Sequence, residues 1–293
     1  MSRAGIARQD VRDPSLEAHL KTYLTGCCFG ETLHAFACVD STMELAHALA
    51  ASGVREGTLV WAAQQRQGRG RLGRSWNSPL GGAYFSFILR PTRPITEVPQ
   101  LSLVVGLAAA ETIQQLAGLF AAIRWPNDLL INGRKVAGIL VEAKNSAVIV
   151  GVGLNVTTDP TQLPETATSL VACEPCGSVT QGAIPSEPAR ASRGTDPFAL
   201  TAELCRRFDA WYDVWTGKGF APIREALRPW MGMFGQPVRV VTATLSPQST
   251  VDGPQQSSFE GIAQDVDEQG RLVVRLDSGL LHAFDVGEVA LLR

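Results

Sequence analysis

The stretch AAIRWPNDLLINGRKVAGILVEAK, Ala121 to Lys144, decides how the chain is read. It holds two apolar runs separated by Asn132-Gly133, the dipeptide best suited to a two-residue hairpin turn, because both turn positions take positive φ. The run after the turn is long and apolar and reads as a buried strand. The next run, AVIVGVGLNV at 147–156, completes a meander of three strands. Lys135 enters the middle strand just past the turn, where a lysine either snorkels to the surface or pairs with an anion. Upstream, Pro126 interrupts the regular pattern, and Asn127 and Asp128 read as turn chemistry after a proline.

Working outward, HAFACVDSTMELAHALAASG (34–53) reads as a strand followed by a helix. Ser41 and Glu44 fit a capping box at its start, and Gly53 suits its end. GTLVWAAQ (57–64) and AYFSFILR (83–90) read as buried strands, and PQLSLVVGLAAAETIQQLAGL (99–119) as an apolar helix. Leu204, Phe208, Trp211 and Trp215 recur at helical spacing and mark a core-facing stripe. From Gly235 the texture changes to short strands with turns at Glu268-Gln-Gly270 and Asp277-Ser-Gly279, a barrel-like all-β module. The fold class is α+β, with helices falling between groups of strands. The expected layout is an N-terminal tail at 1–33 with one short helix, a main domain at 34–234 and a β-domain at 235–293. The Pro-, Gly-, Ser- and Ala-rich stretch 174–197 reads as a flexible insertion.

The totals exclude several classes. The 293 residues are 45% hydrophobic and 18% charged, enough for a large core, and the net charge of −2 argues against general nucleic-acid affinity. No run reaches the ~18 apolar residues of a membrane helix, and the N-terminus lacks a signal-peptide core. The six cysteines form no spaced framework and read as reduced thiols of the cytoplasm. Cys173 and Cys176 form a CxxC without the second ligand pair that zinc needs.

One stretch departs from this balance. QRQGRGRLGRSWNSP (65–79) interleaves Arg66, Arg69, Arg71 and Arg74 with Gly68, Gly70 and Gly73, and no Asp or Glu occurs from Gly57 to Thr96. Glycine permits close backbone approach and arginine supplies a planar fork of donors, so the stretch reads as a loop that meets an anion. That anion could be a nucleic-acid backbone, a nucleotide phosphate or a small carboxylate; composition does not choose among them.

Five motifs choose. DST (40–42), QRQGRGRLGRSW (65–76), RWPNDLLING (124–133), RKVAGILVE (134–142) and GVGLNV (151–156) stand in the order and approximate spacing of the biotin protein ligases, also called biotin–[acetyl-CoA-carboxylase] ligases. The chain resembles that family over about 34–235, and its C-terminal module is similar in kind. The resemblance implies a mixed β-sheet flanked by helices, of the class II aminoacyl-tRNA synthetase-like, biotin/lipoate ligase type, with a small C-terminal SH3-like β-barrel. It implies that biotin and MgATP form biotinyl-5′-AMP. A lysine of a biotin carboxyl carrier protein, from acetyl-CoA carboxylase or another biotin-dependent carboxylase, then takes the biotinyl group.

Carried over by motif, Ser41, Thr42 and Gln65 match residues around the neutral ureido head of biotin. Gly68, Arg69, Gly70 and Arg71 match the loop over biotin and the phosphate, and Lys135 the lysine at the biotin carboxylate and α-phosphate. Arg74, Trp76, Arg124, Asn127, Asp128 and Asn155 match the ATP side. Arg69, Arg71, Lys135 and Asp128 carry the catalytic role, with Asp128 orienting the incoming lysine or holding magnesium. The sequence names no metal ligand set. Two positions depart from the family: Met43 stands where asparagine is common, and Arg124 where lysine is usual. Some family members pair as homodimers through sheet edges. Others carry an N-terminal helix-turn-helix; the residues before the first core strand here are too few for one, so a monofunctional ligase that does not bind DNA is expected. The rival readings are a lipoate or octanoyl ligase of the same fold and a nucleic-acid-binding protein using the arginine loop.

Because residues 176–195 lack apolar periodicity, deleting them is expected to leave folding and biotin incorporation unchanged. A shortened chain that melts at the wild-type temperature yet fails to label a carrier would give that segment a function.

Overall fold

The computed structural model describes residues 10–144, 146–173, 196–244 and 255–292. Strands β1 (Leu33–Phe36), β2 (Leu59–Ala62), β3 (Gly82–Leu89), β4 (Ala122–Arg124), β5 (Asp128–Ile131), β6 (Arg134–Lys144) and β7 (Ala147–Asn155) form one sheet in the order β1-β2-β3-β7-β6-β5-β4. Only β1 and β2 run parallel; every other neighbouring pair is antiparallel, so the sheet is mixed. The β5–β6 turn is the expected hairpin, with Asn132 at φ 51° and Gly133 at φ 77°.

The two faces are covered unequally. On one lie α1 (Pro14–Tyr23), α3 (Leu101–Ala117), α4 (Pro197–Lys218) and α5 (Ala221–Leu227), sharing a single core with the sheet. Phe208 and Trp215 of the α4 stripe are fully buried there. The other face carries α2 (Thr42–Ala51), which packs Met43 and Ala46 against Val60, Ile88 and Ile149 and covers only part of the sheet. The rest of that face is open to a ligand. No helix among the described residues is long and apolar enough to cross a membrane.

Strands β8 (Pro237–Thr244), β9 (Gln255–Val266), β10 (Leu272–Leu276), β11 (Leu281–Phe284) and β12 (Glu288–Leu291) form a second, wholly antiparallel sheet of the SH3-like kind, in the order β11-β10-β9-β8-β12. It is joined closely to the main domain. Val238, Ala263 and Leu272 belong to the same continuous core as α3 and α4. Trp125 Nε1 donates to Gly270 O at 3.0 Å, and Arg224 to Asp265 at 2.6 Å.

Three readings from sequence need amendment. The short helix expected in the N-terminal segment is α1, capped by Asp13, but the segment is no tail: Leu20 is fully buried, and Leu24 and Phe29 follow it into the core. A polar composition concealed this because only one face of α1 is apolar. The capping box at α2 does not form. Ser41 sits at the N-cap position but its side chain makes no capping bond to the second or third amide of the helix, while the first amide, Thr42 N–H, donates to Gln65 Oε1 at 2.9 Å. The stretch read as an insertion to 197 gives way sooner, since Asp196 caps α4 and Pro197 begins it; residues 174–195, with Cys176, lie outside the described residues.

Leu20→Ala is expected to lower unfolding free energy by about 2–5 kcal/mol, as for a leucine deleted from a packed core. Urea melts unchanged within about 0.5 kcal/mol, the range of a surface substitution, would return residues 14–23 to the status of a tail.

Candidate active site

Strand β6 has one residue more than β5 can pair. Leu129 lies opposite Ala137 and Leu130 opposite Lys135, so Val136 is extra, and the ladder bulges there. Side chains alternate faces along a strand, so without the extra residue Lys135 would point to the face opposite Gly138. With it, Val136 is buried in the helix-side core, and the Lys135 ammonium comes within 3.3 Å of where a Cβ on Gly138 would stand. The apolar strand therefore delivers a lysine to the open face.

That face holds a cleft of about 360 Å³. Its floor is glycine. A Cβ on Gly138 would lie 2.9 Å from Trp76 Cζ3, one on Gly153 would overlap Trp76 Nε1, and one on Gly151 would lie 2.6 Å from Met43 Sδ. Glycine inside a strand weakens it, and its usual justification is close approach of another group. Here that group is the Trp76 indole, with the Lys135 ammonium 5.1 Å from its ring centre.

One end of the cleft is neutral and polar. Gln65 Oε1 accepts from Thr42 N and Oγ1, its Nε2 donates to Ser78 Oγ at 2.8 Å, and Ser86 Oγ donates to Thr42 Oγ1 at 2.9 Å. The middle is cationic. Lys135 Nζ and Arg124 Nη2 each lie 2.6 Å from a different oxygen of Asp128. Asn127 anchors the region by donating from Nδ2 to Ile139 O, while its Oδ1 accepts from Arg71 Nη1 at 3.0 Å.

Three of the four loop arginines already have carboxylate partners within the chain. Arg66 binds Asp10 and Asp40, Arg69 binds Glu142, and Arg74 binds Glu288 of the C-terminal domain. Arg71 is the exception. Among the described residues it bonds only neutral oxygens, of Asn127 and of Gly287, the latter at 3.4 Å. Burial pushes its guanidinium below the ordinary value, a shift that the charges of Asp128 and Glu288 only partly offset. Arginine does not lose its proton, so the shift measures an under-compensated cation facing the cleft.

Most of the residues singled out by sequence meet here: Thr42, Gln65, Arg69, Gly70, Arg71, Arg74, Trp76, Arg124, Asn127, Asp128 and Lys135 line the cleft. Three do not. Gly68 is pressed against the Trp76 carbonyl and shapes the loop. Ser41 is buried, and its Oγ has no partner among the described residues. Asn155 donates from Nδ2 to Thr168 O at 3.0 Å, beyond the lining. Sequence reasoning missed the glycine floor, although glycines alternating through an apolar strand signal close approach. It also missed Val241 and Gly287–Ala290, which close the cleft from the C-terminal domain and carry no local signal. No cluster of three or more His, Cys, Asp or Glu among the described residues is arranged for a metal, and the cleft's Asp128 is already held by two cations. The donor set does not fit a protein-held magnesium.

Comparison with known proteins gives the same frame. Residues 35–159 match the model of the biotin/lipoate A/B protein ligase family, and residues 250–292 that of the biotin protein ligase C-terminal domain. The biotin–[acetyl-CoA-carboxylase] ligase of Mycobacterium tuberculosis is 32% identical over 296 residues, covering 98% of this chain and 99% of the relative. The chain belongs to the biotin protein ligase family. The biotin–[acetyl-CoA-carboxylase] ligase of Paracoccus denitrificans is 33% identical, over 82% of this chain and 92% of its own length. The biotin protein ligase of Aquifex aeolicus, solved with biotin and ATP, superposes with a TM-score of 0.69 at 27% identity, covering 90% of this chain and 99% of its own. The chain is thus an enzyme of this family.

Gly153→Ala is expected to expel Trp76 from the floor. Acrylamide quenching, with a Trp76→Phe chain subtracted to isolate this residue, should rise toward that of an exposed indole. Quenching equal to wild type would mean the indole does not rest on Gly153.

Proposed function

We propose that the chain activates biotin with ATP to biotinyl-5′-AMP and transfers the biotinyl group to one lysine of a biotin carboxyl carrier domain. The observation that carries this reading is the division of one cleft into a neutral polar end at Gln65 and Thr42 and a cationic middle at Lys135 and Arg71. A neutral ureido head suits the first, and a carboxylate meeting a phosphate suits the second. The relatives' names and the Aquifex complex support the same substrates.

In the first step a biotin carboxylate oxygen attacks the α-phosphorus. The new C–O–P anhydride forms as the bond to the β-phosphate breaks, and pyrophosphate leaves. Two anions must meet, so fixed cations lower the barrier. Lys135 turns from Asp128 to the oxygens gathering charge, and Arg71 supplies the donors that its neutral partners leave uncompensated. Magnesium accompanies the nucleotide phosphates as part of the substrate. In the second step the carrier lysine's amine attacks the acyl carbon, the amide forms with loss of a proton, and AMP departs. Asp128, released by Lys135, orients that amine. Trp76 stacks against the adenylate, and the arginine loop keeps water from the anhydride.

The test is pyrophosphate release with MgATP and biotin, followed by streptavidin detection of a carrier domain. Incorporation of lipoate instead of biotin would overturn the assignment. Lys135→Ala is expected to slow adenylate formation by ~10²–10³, the usual cost of one preorganised donor at a developing charge. Pyrophosphate release within a few-fold of wild type would remove Lys135 from the mechanism.

A further inference from the structure

Arg69 borders two spaces, the cleft and an open hollow lined by Glu44, His47, Glu142 and Lys144. Its Nη2 donates to Glu142 Oε1 at 2.7 Å. The other oxygen of Glu142 accepts from His47 Nε2 at 2.8 Å. A carboxylate only accepts, so Nε2 carries the hydrogen. One carboxylate thus ties the arginine loop to β6 and α2, the two elements that also carry Gly138 and Met43 of the cleft.

Only one corner of the guanidinium is used. Nε and Nη1 of Arg69 make no hydrogen bond among the described residues, so the fork keeps donors for a ligand while Glu142 holds it. Docking a free arginine on an anion costs rotamer freedom; a side chain already fixed loses less at the binding step.

We propose that Glu142 and His47 are positioning residues for Arg69: Glu142 fixes the guanidinium at the mouth of the cleft, and His47 fixes Glu142. Neither touches the substrate. The inference rests on the reading of the cleft as the biotin and adenylate site, with Arg69 part of its cover. The pair acts on how tightly ligand is held, not on the bond-making step.

The experiment uses the full chain and two readouts: KM for biotin in pyrophosphate release, and the rate at which preformed biotinyl-5′-AMP leaks from the enzyme. Glu142→Gln should raise both about tenfold, the scale of one charge-assisted hydrogen bond, and leave kcat at saturating biotin within about twofold. His47→Ala should move both the same way by less, and His47→Gln, which keeps an N–H near the same place, should restore them. Arg69→Ala combined with Glu142→Gln should be no worse than Arg69→Ala alone. Unchanged KM and leakage in Glu142→Gln, or additive losses in the double variant, would overturn the inference while leaving the ligase reading in place. Wild-type protein that releases no pyrophosphate with biotin would overturn the ligase reading and this inference with it.

Discussion

Val136 is the residue that strand β6 has and strand β5 cannot pair. Its insertion costs a local break in the ladder, and in return Lys135 is re-aimed from the helix-packed face to the open one. The geometry of the cleft follows from that shift. Lys135 reaches Asp128, whose other oxygen holds Arg124, and lies over Trp76, which rests where Gly138 and Gly153 omit a side chain. An ammonium brought to a partly buried face of a sheet needs a counter-charge. Asp128 supplies it until a ligand anion can.

The arginine loop obeys the same economy of charge. A net charge of −2 leaves carboxylates to spare, and they come from distant parts of the chain: Asp10, Asp40, Glu142 and Glu288. Electrostatic repulsion among the arginines therefore does not keep the loop open. On the proposed function, ligand binding is an exchange of anions, in which an incoming carboxylate or phosphate replaces or shares an internal partner. Arg71, whose partners among the described residues are all neutral, has most to gain from that exchange. Through Arg74 and Glu288, and through Arg71 and Gly287, the loop also lies against the C-terminal domain, which makes that domain a wall of the cleft.

What was legible in the sequence was local. Asn132-Gly133 specifies its hairpin because both residues take positive φ readily, as a two-residue type I′ turn requires, and apolar strands flank it on both sides. The aromatic stripe of α4 follows from helical periodicity. What escaped depends on distant partners. Gln65 accepts from the first amide of α2 across 23 residues of chain, which no spacing rule foresees. The polar composition of residues 1–33 concealed Leu20, Leu24 and Phe29, which join the core shared by the sheet and the helices on it. Glu142 and His47 looked like ordinary surface charges until the fold brought them together on Arg69. Motif resemblance located most of the cleft, yet it grouped Ser41, Gly68 and Asn155 with residues that the fold keeps at the lining.

The central claim is that the bulge at Val136 presents Lys135 for an exchange of anions. A crystal structure of the chain with biotinyl-5′-AMP tests it most directly. The account predicts an unchanged bulge, with Lys135 Nζ hydrogen-bonded to an acyl or phosphate oxygen of the adenylate and no longer on Asp128. An adenylate in the cleft with Lys135 still on Asp128, and Arg71 still on Asn127 and Gly287 only, would contradict it.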